Sequence, residues 1–185
     1  VLAFFLFTAN TVLAETPQTM RLDFFHSGNH ATEMFSLDEI VIEATPWTGS
    51  MQQPIDKTLR GKYLFEIVSD ESGKISWSRS FSSIYGEWET TGEARSINRT
   101  YTESVRVPRP ASTFHVVSKK RGAENQFEEV WRISIDPNNY MHYRESALYA
   151  DEVIAIMDNG DPAEKVDLLL LGDGYTAEEH DAFVT

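Results

Sequence analysis

The sequence predicts a mainly β protein, a β-sandwich of immunoglobulin-like or jelly-roll-like type, followed by the opening of an α/β unit. Three observations carry this. About seven short segments alternate apolar with polar residues, turn formers part them at close spacing, and no long helical period runs between them.

Residues 20–26 (MRLDFFH) and 37–44 (LDEIVIEA) alternate in part, as half-buried strands do. Residues 61–84 read as a hairpin, two strand-like runs around the turn formers Asp70, Glu71, Ser72 and Gly73. Residues 99–108 alternate again and end at Pro108 and Pro110, which donate nothing to a ladder and suit a strand end. Residues 112–137 form the clearest hairpin. Phe114, Val116 and Ser118 share one face of its first strand, and Trp131, Ile133 and Ile135 share one face of the second. The sandwich is therefore assigned to residues 19–137.

Residues 138–164 are turn-rich at both ends and read as a linker with room for one more strand. A near-continuous apolar strand then starts at Lys165, and Thr176 with Glu179 forms a capping box, so a helix is expected there. Strand, turn and helix in that order mark a new domain over residues 165–185.

Residues 1–14 are uncharged and mostly apolar, close on Val12-Leu13-Ala14, and lead into Glu15-Thr16-Pro17. This is the pattern of a secretory signal peptide, and it is shorter than the roughly 20 apolar residues that span a bilayer. Its charged n-region is absent, so it reads as a partial leader. Export to the periplasm, the cell surface or the medium is expected.

The formal net charge of −13 repels phosphate backbones, and the single basic run, residues 119–121, precedes a Gly-containing turn. Nucleic acid is excluded as a partner. The absence of cysteine removes disulfides and thiolate metal sites.

Residues 172–177 (GDGYTA) fit a dinucleotide-binding turn, but Asp173 would set a carboxylate against the pyrophosphate. Gly174 stands where an esterase of the Gly-Asp-Ser type has its nucleophile. His26 and His30 have i, i+4 spacing, but Ser27, Gly28 and Asn29 between them form a turn. No H-E-x-x-H occurs in the chain. No catalytic, cofactor or metal residue is assigned. Of the four tryptophans, Trp77 and Trp131 lie within alternating strands and read as core. Trp47 and Trp88 lie in turn-rich surroundings and are the candidate binding surface, as platforms on which sugars stack.

The segments TMRLDFFHSGN, IDKTLRGKYLFEI, SRSFSSIYGEWETTGEA, KKRGAENQFEEVWRISIDP and VDLLLLGDGYTAEE resemble, in order, the N-terminal part of the IgA peptidase family. These are exported bacterial zinc metallopeptidases, metallopeptidase family sixty-four. The resemblance spans residues 19–183 and is most specific over 81–93 and 166–179. It implies a β-sandwich domain joined to a catalytic α/β zinc-peptidase domain whose first strand, turn and helix are residues 165–185, truncated thereafter. The family's zinc is held by an H-E-x-x-H helix further downstream, so no ligand or base is carried over to a residue of this chain. The expected role is an accessory domain that orients the catalytic domain or its protein substrate and is inactive by itself. Its partner would be the downstream catalytic domain of the same polypeptide, with zinc there and no cofactor here. The alternative is a free-standing exported module that binds glycan or protein, using Trp47 and Trp88.

Overall fold

The computed structural model describes residues 16–139, 141–145, 155–160, 165, 166, 168–170, 176 and 179. Strand β1, Gln18–Gly28, shows why the chain folds in layers. Met20, Leu22, Phe24 and His26 are all fully buried while the residues between them are not, the two-residue period of a strand with one wet face. It forms an antiparallel pair with β2, Glu33–Pro46, on one side and with β5, Arg99–Pro108, on the other. A two-residue strand β8, Tyr143–Arg144, pairs with β2 in parallel and completes a sheet of order β5-β1-β2-β8.

The second sheet is a run of hairpins. Strands β3, Tyr63–Ser69, and β4, Ile75–Phe81, meet across the expected turn at Asp70 to Gly73. Strands β6, Phe114–Arg121, and β7, Phe127–Ile135, form the second hairpin, and the sheet order is β4-β3-β6-β7. The two sheets share one core. Leu22, Phe24, Phe35 and Ile42 of the first meet Phe65, Ile67, Phe114 and Val116 of the second. Phe24 lies 5.3 Å from Phe65 and 5.9 Å from Trp131, ring centre to ring centre. Each such side chain removed from water contributes about 1.5–3 kcal/mol, so the aromatic centre is the main cohesive element between the layers.

Between β4 and β5 the chain makes a helix α1, Ile84–Trp88, and a 3-10 turn, Glu93–Arg95. The sequence pattern did not predict either. Five residues are too few to show a helical period, and the helix is fixed locally by Ser83, whose hydroxyl accepts from the Gly86 N–H at 3.0 Å. Gly28, which ends β1, has φ +142° and leaves no room for a Cβ, which would lie 2.1 Å from the Thr32 carbonyl oxygen.

The outer edge of β4 is covered by the loop before β3. The Ser78 N–H donates to the Pro54 carbonyl at 2.9 Å, and the Asp56 carboxylate accepts from the Ser80 N–H at 2.8 Å and from the Thr58 N–H at 2.8 Å. Arg109 gathers the two ends of the domain: its N–H donates to the Gln18 carbonyl at 2.8 Å, and its guanidinium to Gln18 Oε1 at 2.9 Å and the Pro137 carbonyl at 3.1 Å.

Strand β8 falls within residues 138–164. Residues 1–14, assigned to the leader, lie outside the described residues, as does most of the segment 165–185. Its described residues Val166 and 168–170 are in no strand and expose their side chains. At Thr176, the N–H and the hydroxyl each donate to Glu179 Oε2 at 3.0 Å, the half of a capping box made by its glutamate. Among the described residues, no helix is long and apolar enough to cross a membrane.

Candidate functional site

A cleft of ≈ 370 Å³ opens where the edge strands of the two sheets, β4 and β5, face each other. Trp77, Arg79 and Phe81 of β4 line it at alternate positions, as one face of a strand must. Ser104, Val105 and Arg106 of β5 line it consecutively. Consecutive residues point to opposite faces, so β5 borders the cleft with its backbone edge.

Trp47 forms the third wall, from the loop that follows β2. Its backbone N–H donates to the Pro17 carbonyl at 2.8 Å, and Gly49 lies so close to the indole that a Cβ there would fall 2.4 Å from the ring. Trp47 stands edge-on to Trp77 at 6.3 Å and 84°. The Arg79 guanidinium lies 5.3 Å over the Trp77 ring and is pinned by the carbonyls of Pro54 at 3.0 Å, Ser78 at 2.7 Å and Gln53 at 3.2 Å. Arg106 uses its Nε on the Glu43 carboxylate at 2.8 Å, which Arg21 also meets at 3.2 Å. The indole N–H groups of Trp47 and Trp77 are buried and have no acceptor among the described residues.

The two candidate tryptophans thus lie in different environments. Trp47 is half-buried and lines the cleft. Trp88 is 8% exposed, packs on Tyr85 at 5.6 Å and Tyr101 at 5.7 Å, and donates its indole N–H to Glu93 at 2.8 Å. A ring so enclosed offers no face on which a sugar could stack, and its place is a small second core with Tyr85 and Ala94.

That small core caps a charged end of the two-sheet domain which the sequence pattern did not reveal. His26 continues the inward row of β1 and is stacked between Phe35 at 4.1 Å and Tyr85 at 3.8 Å. Its ring nitrogens meet Glu103 at 3.3 Å and Glu33 at 3.2 Å. Glu33 also accepts from the Tyr63 hydroxyl at 3.0 Å and pairs with Lys120 at 3.0 Å. Lys120 continues to Glu89 at 3.1 Å, and Lys62 closes on Glu89 as well. Burial works against a charged imidazole, but the Glu103 and Glu33 carboxylates hold His26 above its ordinary value. Burial likewise opposes the Glu33 anion, yet the His26 and Lys120 donors hold it below the usual carboxylate range. Burial beside Glu33 and Glu89 pushes the Tyr85 phenol up to about 12.

This network is a staple between layers. Glu33 and His26 belong to one sheet, Tyr63 and Lys120 to the other. His30, by contrast, is exposed, so the spacing of His26 and His30 does not assemble a site. Among the described residues, no group of three or more histidine or acidic side chains is arranged to hold a metal ion.

A two-sheet β domain with an aromatic cleft is the class these observations define. The chain matches the family model described as peptidase M64 N-terminus over residues 13–132. It belongs to that family, the N-terminal domain of the IgA peptidases. No curated protein matches the chain.

Proposed function

We propose that this chain is the accessory N-terminal domain of an exported bacterial zinc metallopeptidase, and that it orients the downstream catalytic domain or the protein substrate. One observation supports this above the others. The match to the peptidase M64 N-terminus runs from before β1 into β7 and so takes in strands β1 to β6 and most of β7, from both layers. The catalytic domain, with its H-E-x-x-H helix and zinc, is expected downstream on the same polypeptide. The chain by itself is expected to be inactive.

The test has two arms. The purified chain, supplied with zinc and incubated with protein substrates including immunoglobulin A, should give no cleavage. Turnover that co-purifies with the chain and disappears with a chelator would overturn the reading. The full-length parent lacking residues 19–137 should lose cleavage of folded proteins more than cleavage of short peptides, because only the former can use a second contact. Equal loss on both would remove the substrate-orienting half of the proposal.

A further inference from the structure

Strand β5 is an edge strand, paired with β1 alone among the described residues, and its backbone edge borders the cleft. The opposite edge, β4, is covered by Pro54 and Asp56, so an incoming chain has one free ladder here. A strand added along β5 would point alternate side chains the way Val105 points, against Trp47, Trp77 and Phe81. Side chains of the opposite set would lie beside Ser104 and Arg106.

Three features of the wall state what would enter. Its body is aromatic, and its size is at the lower end of ligand pockets of roughly 300–1,000 Å³, suited to one apolar side chain. The indole N–H groups of Trp47 and Trp77 are buried, so the rings present apolar surface to an entering side chain. Arg106 is 54% exposed on its side chain and, beyond the Nε bond to Glu43, its terminal nitrogens bond nothing among the described residues. That leaves a guanidinium fork for a carboxylate. A sugar fits less well. The lining contains no carboxylate or amide side chain to bind a ring of hydroxyls, and the two indoles are perpendicular, with Trp77 3% exposed.

We propose that the free edge of β5 takes up an extended segment of a protein substrate as an added strand. An apolar or aromatic side chain of the segment fills the cleft, and an adjacent acidic side chain meets Arg106. That the segment belongs to a substrate rests on the accessory role proposed above; the binding itself does not.

The probe is the blocked peptide Ac-Thr-Val-Glu-Phe-Thr-Val-Thr-NH2, titrated into the intact chain by calorimetry and tryptophan fluorescence. Binding below about 1 mM is expected. Trp47→Ala should weaken it about tenfold and Arg106→Gln about fivefold, with far-ultraviolet circular dichroism unchanged. Replacing the peptide's glutamate by glutamine should abolish the difference between Arg106 and Gln. Of two versions N-methylated at alternate amides, in opposite registers, one should bind at least tenfold more weakly.

No binding at about 1 mM, or equal binding of both methylated peptides, would overturn the proposal. So would a Trp47-dependent response to cello- or malto-oligosaccharides in place of the peptide. Concentration-dependent dimerisation that occludes β5 would do the same. These readouts involve no peptidase activity. A parent enzyme indifferent to loss of the domain would remove the accessory role while leaving peptide binding intact, and failure of the peptide would leave the accessory role standing.

Discussion

At position 26 the inward row of β1 changes from hydrocarbon to imidazole, and the stability of the domain acquires a pH profile there. His26 is held above its ordinary 6.5, so its contribution is complete below that value and fades as pH rises through the raised one. Glu33 is held below its ordinary 4.5, so its contribution is complete above that value and fades as pH falls through the lowered one. The urea midpoint should therefore be highest in mildly acidic solution and decline on the alkaline side. His26→Gln should flatten that decline; an unchanged alkaline slope would show that other groups carry it. The tryptophans separate in the same way. Trp88→Ala empties an enclosed site and should cost about 3–5 kcal/mol by urea denaturation. Trp47→Ala removes a half-buried ring and should cost clearly less, and the reverse order would contradict the placement of the two rings.

Elements differ in how plainly the sequence announced them. Strand β5 was expected at residues 99–108 and is found there, because uninterrupted alternation ends in a proline that cannot extend the ladder. Strand β2 was expected from residue 37 but begins at Glu33. Its first inward side chain is a carboxylate and its neighbour Met34 is exposed, the inverse of the hydrophobic pattern. The charged staple was illegible for a related reason. His26 and Glu103 are 77 residues apart, and nothing local indicates that a histidine faces inward. Helix α1 was hidden by its brevity, and the burial of Trp88 with it, since that depends on Tyr101 in the next strand. The cleft was half legible. Trp47 was singled out by its surroundings, but the backbone edge of β5 beside it follows only from the strand order.

One element carries its own prediction. Burial opposes the Asp56 anion, but hydrogen bonds from Ser80 and Thr58 hold its carboxyl far below the usual range. Asp56→Ala should remove these bonds, free the outer edge of β4 and cost about 1–2 kcal/mol. The loss should be greatest near neutral pH and vanish in acid, as the native carboxylate is protonated. Denaturation at two pH values checks this, and an equal loss at both would point to packing instead.

For the whole molecule, strands β1 to β7 run from Gln18 to Ile135, and the family match covers residues 13–132. Limited proteolysis should leave this unit intact and cut among the exposed positions described further on, such as Met157, Val166 and Leu168. Cleavage first between β3 and β7, detected by mass spectrometry, would contradict the single shared core.

The clasp of Arg109 on both Gln18 and Pro137 has a mechanical meaning. Chain entering the first strand and chain leaving the last hairpin meet at one guanidinium, so the two ends of residues 18–137 are held side by side. Tension applied between those two ends would load that clasp before it reached the strand ladders. A bridge of a few glycine and serine residues would span the gap between those two ends.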